Sequence, residues 1–358
     1  MNNDLKPGVV ATVGLAVVLL AFSLSTNVPK AAGGGFKGDE ATYYVLAHSL
    51  AHDFDFAFTH DDLVRVWQEF PGPEGIFLKR GKSVDIQGSS QFPFVRWVKG
   101  DDPERDRRLY FSKSFIYPLV AAPFVFLFGT NGFLVLHSLL LSGDFLVAYL
   151  FLRARTKSNW SALPLAAVFL AASVVPVYFV WLMPELFNFS LALYALFLWS
   201  YNEVGGSGPK QSDRLAAVVL GVLTFSKPTH AILMFPIVAL ALWRRQWTRA
   251  AKTVMVWGLV TGALFAANAA ITGEFNYQGG DRKTFYHTTG FPFANPWETF
   301  DNSGPVRGRE GLTVGEVLLN SHSLSVFGRN LVYFTVGRYA GFVPYFFPGA
   351  LALALFLL

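Results

Sequence analysis

From Pro7 to Pro29 the chain carries no charged side chain, and Gly8–Thr26 is almost continuously apolar. As a helix, that stretch reaches across a bilayer core of about 30 Å. Further apolar runs follow at Phe115–Gly129, Gly132–Leu152, Ser161–Met183, Pro184–Tyr201, Leu215–Phe225, Ala231–Trp243 and Thr253–Ile271, and a last one occupies Tyr345–Leu358. Only 15% of the 358 residues are charged, against roughly 25% in a soluble domain. The first run is longer than the apolar core of a signal peptide (about 7–15 residues), and Asp4 offsets Lys6 before it, so it reads as a retained span. The absence of Cys excludes disulfides and Cys-ligated zinc or iron–sulfur clusters. A net charge of +5 without Lys/Arg runs argues against nucleic acid as a partner.

The pattern predicts an all-α polytopic membrane protein. Residues 1–29 form a first transmembrane span and 30–113 a large first non-cytoplasmic loop with interfacial helices. Residues 114–271 form a transmembrane bundle, 272–329 a second non-cytoplasmic loop, and 330–358 an interfacial segment and a truncated span. Ending in an apolar run, the chain reads as C-terminally incomplete.

Short loops rich in Lys and Arg face the cytoplasm. Three qualify: Arg153/Arg155/Lys157, the polar stretch with Lys210 and Arg214, and Arg244/Arg245/Arg249/Lys252. All three fall on one side if Phe115–Gly129, short and holding Pro118 and Pro123, lies at the interface or re-enters instead of crossing. The first loop, the turn at Pro184-Glu185, Ser226-Lys227-Pro228 and residues 272–329 then share the non-cytoplasmic face. The chain is a multi-pass protein of the plasma or inner membrane on this reading.

Gly38-Asp39-Glu40 follows the first span and opens an expected amphipathic surface helix, Glu40–His52, with Tyr43, Tyr44, Ala47, Leu50 and Ala51 at three-to-four spacing. Asp39 suits a helix N-cap and Glu40 the positive end of the dipole. Adjacent carboxylates at a membrane–water boundary also suit a base and a cation ligand. Glu185 opens a helix directly after Pro184, and a carboxylate at such a junction is costly without a polar partner. Lys113 and Lys227 each begin an apolar segment, where they either snorkel to headgroups or meet an anion. Arg338 offers a bidentate anion contact or marks an interface. His48 and His52 stand i, i+4 on one helix face, as metal ligands or as interfacial histidines. Asp144, with His137 and Ser142 nearby in sequence, reads as an interhelical hydrogen-bonding group. The polar segment from Asn276 to Tyr286 suits recognition of sugar or phosphate. No phosphate-binding Gly-rich loop and no G-x-S-x-G elbow is present.

The order of these features resembles the C-type glycosyltransferase superfamily, which includes protein O-mannosyltransferases and the lipid A aminoarabinose transferase. The matching residues are Gly38-Asp39-Glu40 with Tyr43-Tyr44 after one span, and Tyr110-Phe111-Ser112-Lys113 before a Pro-containing run. Met183-Pro184-Glu185 opens a later span, and Ser226-Lys227-Pro228 lies between two short ones. The sequence departs from the family in lacking paired prolines directly after Lys113. The resemblance implies a helical bundle with a large first non-cytoplasmic loop and a glycosyltransferase that takes a sugar from a polyprenyl-phosphate donor, with inversion. The acceptor is a protein, lipid or glycan. The implied catalytic residues are Asp39, Glu40 and Glu185, and the implied donor-phosphate ligands are Lys113, Lys227 and Arg338. Asp39 and Glu40 permit a divalent cation, Mg or Mn, without requiring one. Two other readings share the charges: a transporter or flippase of lipid-linked saccharide, and a non-catalytic membrane scaffold whose acids are scattered in space.

Overall fold

Helix forms where the apolar runs lie, and successive helices reverse direction. The computed structural model describes residues 5–33, 35–36, 39–70, 75–91, 94–201, 212–278, 282–285, 300, 321–338, 341–345, 349–351 and 354–355. The chain forms two compact units, Met1–Arg307 and Gly308–Leu358.

In the first unit the helices are α1 (Lys6–Ser25), α2 (Val28–Ala31), α3 (Glu40–His52), α4 (His60–Glu69), α5 (Pro103–Arg107), α6 (Ile116–Phe128), α7 (Asn131–Thr156), α8 (Asn159–Ala171), α9 (Val175–Tyr178), α10 (Glu185–Ser200), α11 (Ser212–Ser226), α12 (Met234–Trp243) and α13 (Trp247–Thr272), with a 3-10 turn at Pro228–Leu233. Three of them, α1, α7 and α13, are long and apolar enough to cross a membrane. Val10, Val13, Val17 and Val18 of α1 are exposed, as befits a helix bathed in lipid.

Polar contacts fix the directions. Asn131, at the start of α7, donates from Nδ2 to the Ser23 and Thr26 carbonyls at the end of α1, both at 3.0 Å. At the other end Gly8 meets the Tyr149 ring of α7. The α8 start is held by Asn159 Oδ1, which accepts from Tyr149 Oη at 2.7 Å and Arg153 Nε at 2.8 Å. Ser190 of α10 donates to Asp144 Oδ2 at 2.8 Å, the interhelical bond expected of Asp144, and Ser23 and Ser138 join α1 to α7 at 2.8 Å. Such bonds average about 0.6 kcal/mol each in membranes. Arg249 at the start of α13 binds both carboxylate oxygens of Asp213 at the start of α11, at 2.5 and 2.8 Å. The described basic turn residues therefore gather at one end of the bundle, and Lys210 lies outside the described residues. The starts of α3, α7 and α10 and the ends of α1, α11 and α13 gather at the other.

The 13 residues of α6 reach only about 20 Å. Its first turn adjoins Lys113, and its last leads through Thr130, bonded to Tyr44 Oη at 3.1 Å, to the α1-bound Asn131. The helix lies along the first turns of α7, with Tyr117 bonded to His137 at 2.9 Å and Phe124 against Gly132. The apolar run Ser161–Met183, by contrast, is broken between α8 and α10 into α9 and irregular turns.

The helical expectation omitted a small sheet. Strands β1 (Ala57–Phe58), β2 (Ile76–Arg80), β3 (Val84–Gly88), β4 (Val95–Lys99), β5 (Leu109–Phe111) and β6 (Arg282–Phe285) make an antiparallel sheet in the order β1-β5-β2-β6 and a β3-β4 hairpin. Ile76, Leu78 and Phe285 are buried and join the core containing α3 and α6. The sheet changes the role of α3, which is buried from Glu40 to Ala51 instead of lying half exposed. Its polar face is paired: Thr42 Oγ1 donates to the Gly75 carbonyl and accepts from the Phe77 amide, each at 2.9 Å. The second loop supplies β6, so the two loops build one layer. In the second unit, helix Ser321–Val336 is followed by a one-turn helix, Phe342–Tyr345.

The α1–α7 contact gives a direct test of this packing. A Cβ at Gly8 would overlap the buried Tyr149 ring, which Asn159 holds in place. Gly8→Val is expected to cost about 1–3 kcal/mol, read as a lower unfolding midpoint of the detergent-purified protein.

Candidate active site

Four segments far apart in sequence deliver charge to one end of the bundle. Asp39 occupies the N-cap position of α3, yet its side chain makes no capping hydrogen bond. It is ion-paired instead with Lys113, 74 residues later. The N-cap alternative is thereby overtaken by a long-range contact.

Lys113 is placed by the sheet. The Ser112 amide extends the β5–β2 pairing by donating to the Phe77 carbonyl at 2.9 Å, and Ser112 Oγ donates to the Gln278 carbonyl at 2.6 Å. Lys113 Nζ then lies 4.2 Å from the Phe77 ring centroid. Arg282, brought by β6 opposite Lys79, lies 5.2 Å from the same ring. Two cations therefore share one aromatic side chain.

Glu40 is buried, and its Oε1 accepts from the Leu182 amide at 3.0 Å. Leu182 belongs to the irregular segment that precedes α10, so this bond ties the first acid pair to the segment carrying Glu185. Glu185 Oε1 is 4.0 Å from Lys227 Nζ, while Oε2 is buried and has no hydrogen-bond partner among the described residues. Asp39 and Lys113 also stand within electrostatic reach of Glu185. Lys227 reaches this place because α11 stops there: Pro228 lacks an N–H and forces the residue before it into an extended backbone. Ser226 Oγ anchors the turn on Asn188 Oδ1 of α10 at 2.6 Å.

Two tyrosines complete the rim. Burial raises the Tyr43 phenol above its ordinary pKa, and Asp39 and Glu185 add to the effect, so Tyr43 stays a protonated donor. Burial raises Tyr277 to about 12, and its Oη donates to the Ser226 carbonyl at 3.4 Å. Beside Glu40 a cavity of about 230 Å³ opens among Phe22, Thr26, Val28, Leu134 and Trp181.

The structure thus brings together Asp39, Glu40, Glu185, Lys113 and Lys227. Arg338 belongs to the second unit, where it is exposed in the turn after helix Ser321–Val336. Gly38, Gly279, Gly280, Asp281 and Tyr286 lie outside the described residues. Nothing in the sequence points to Phe77 and Arg282 as a pair; they meet diagonally across the β2–β6 ladder, where Phe77 faces Thr284 and Arg282 faces Lys79, although Arg282 lies in the segment expected to recognise sugar or phosphate. Asp39 holds Lys113 and Glu40 holds a backbone amide, and no group of three His, Cys, Asp or Glu suited to a metal ion occurs among the described residues. His48 and His52 stack at 5.8 Å, and burial, helped by His52 and Arg65, lowers His48 to about 3, leaving it neutral.

Comparison with family models, with curated proteins and with solved structures finds no match to this chain.

Proposed function

We propose that the chain is an integral membrane glycosyltransferase that moves a sugar from a polyprenyl phosphate to an acceptor hydroxyl on the non-cytoplasmic face. The observation that carries this reading is the Asp39–Lys113 pair at a helix start that Asp39 does not cap, with the orphan Oε2 of Glu185 in the same electrostatic cluster. The positive-inside tendency assigns the basic end of the bundle to the cytoplasm and the acid cluster to the opposite face. A prenyl chain keeps its phosphate at the membrane boundary, where such a cluster meets it, and the apolar walls beside Glu40 suit the start of that chain.

The chemistry follows from the side chains. The acceptor oxygen attacks C1 of the sugar and gives its proton to the Asp39 carboxylate, a contribution of about 10²–10⁴-fold. The bond from C1 to the phosphate oxygen breaks, and its electron pair leaves on the phosphate. Lys113, with Arg282 across Phe77 and Lys227 opposite, stabilises that developing charge. Glu40 holds the two acid-bearing segments together, and Glu185 sets its charge beside Lys227 through Oε1. Direct displacement inverts C1.

The test is an assay of membranes holding the protein with a panel of polyprenyl-phosphate sugars and the natural membrane acceptors, reading product and anomer. Transfer with inversion from at least one donor is expected. Movement of the lipid-linked sugar across the bilayer without transfer would replace the enzyme by a transporter.

A further inference from the structure

Between α8 and α10 the chain leaves regular helix, and this irregular segment carries both the Leu182 amide that Glu40 accepts and Glu185 itself. One fully buried side chain holds it from below. His137, two turns into α7, has Nδ1 2.7 Å from the Phe179 carbonyl and Nε2 2.9 Å from Tyr117 Oη. A carbonyl only accepts, so Nδ1 carries the proton and Nε2 is left as the acceptor of the Tyr117 hydroxyl. The tautomer is therefore dictated by the partners. Through it, three separate elements are joined: α7, the α6 tyrosine and the segment three residues before Leu182.

The same network borders the acid cluster. The Tyr117 ring meets the Tyr43 ring edge-on at 5.9 Å and lies within electrostatic reach of Glu40 and Glu185. With its proton committed to His137, Tyr117 presents a fixed wall beneath the two acids. An apolar residue in place of His137 would leave the Phe179 carbonyl and the Tyr117 hydroxyl without these partners, a costly state for buried polar groups. The segment would relax to satisfy them.

We infer that His137 is a positioning residue: by clamping the Phe179 carbonyl and the Tyr117 hydroxyl at once, it sets where Glu40 and Glu185 stand relative to Asp39. Its consequence for turnover rests on the transferase reading above, whereas its consequence for the segment does not. A displacement of about 1 Å at reacting groups costs roughly 10²-fold in rate.

The experiment has two arms in detergent-purified protein. In the first, Leu182→Cys, at a buried position, is labelled with a maleimide in otherwise wild-type, His137→Phe and His137→Asn backgrounds. Asn keeps an N–H where Nδ1 stands but loses the acceptor of the Tyr117 hydroxyl, so labelling is expected to rise at least tenfold in the Phe background and less than threefold in the Asn background. In the second, His137→Phe is expected to lower kcat about 10²-fold with donor KM changed less than threefold, and His137→Asn to recover most of it. Equal labelling in all three backgrounds overturns the clamp whatever the activity. Equal loss of kcat in both variants overturns the specific role of the Nδ1 bond. Faster labelling in His137→Phe from a wild-type protein that transfers no sugar upholds the clamp and removes only the enzyme.

Discussion

Asp39→Asn is expected to lower sugar transfer by about 10²–10⁴-fold, the share of a general base, while leaving the fold almost untouched. The two halves of that expectation come from the same local geometry. Asp39 does not cap α3 through its side chain, and Asn is itself a favoured N-cap residue, so the helix start keeps its support. The lost ion pair joins a side chain that is 32% exposed to one that is 12% exposed. Pairs of this kind contribute at most about 1 kcal/mol. Lys113 keeps its place on the Phe77 ring and, freed of its carboxylate, is available to the donor phosphate. Donor KM should therefore stay level or fall as kcat collapses, the pattern of an interaction needed in the transition state. Lys113→Ala should differ, raising donor KM as well as lowering kcat. Retention of more than a tenth of wild-type kcat by Asp39→Asn, in protein of unchanged unfolding midpoint, would remove Asp39 as the base.

Much of the bundle could be read from one-dimensional pattern, because lipid forces the backbone to pair within each apolar run. The placing of basic turns at one end and of Asp39, Glu185 and Lys227 at the other needed only the order of the runs and the shortness of Phe115–Gly129. What the sequence left open was decided by contacts between distant residues. From sequence Asp39 suits a cap, a base or a cation ligand, and its ion pair appears only once β5 brings Lys113 to it; β5 is three residues long, too short for an alternation signal. Phe77 and Arg282 meet only because β6, beyond the whole bundle in sequence, pairs with β2. The spacing of Tyr43, Tyr44, Ala47, Leu50 and Ala51 identified a buried face of α3 but not the sheet that covers the remaining polar face. His137 was visible as a histidine in an apolar run, and its partners, 20 and 42 residues away, were not.

The second large effect lies where the sheet is locked to the bundle. Lys79→Met is expected to cost about 3 kcal/mol, the low end for breaking a buried charge pair. Lys79 is 1% exposed. Its ammonium donates to Thr272 Oγ1 at 3.0 Å, the Asn276 carbonyl at 3.1 Å and Glu274 Oε2 at 3.4 Å. All three lie at or just beyond the end of α13, where Gly273 takes a left-handed φ of 84° that ends the helix. Methionine fills the volume but leaves the Asn276 carbonyl without this donor and, among the described residues, Glu274 paired with the more exposed Lys82. Adding Glu274→Gln should recover part of the loss, since less uncompensated charge then stays behind. The pH dependence has a definite sign. Burial lowers Lys79 to about 8, against the opposing pull of Glu274, whereas an unfolded lysine titrates near roughly 10.4. Between those values the unfolded chain binds more protons than the folded one, so this lysine adds stability as pH rises through that window. The stability gap between wild type and Lys79→Met should thus widen from pH 8 to pH 10. Chemical denaturation in detergent measures the gap, and amide exchange in β2 shows whether the sheet opens first. A gap that narrows over that range would mean that the ion pair with Glu274 outweighs burial, and that Lys79 stays charged well above pH 8.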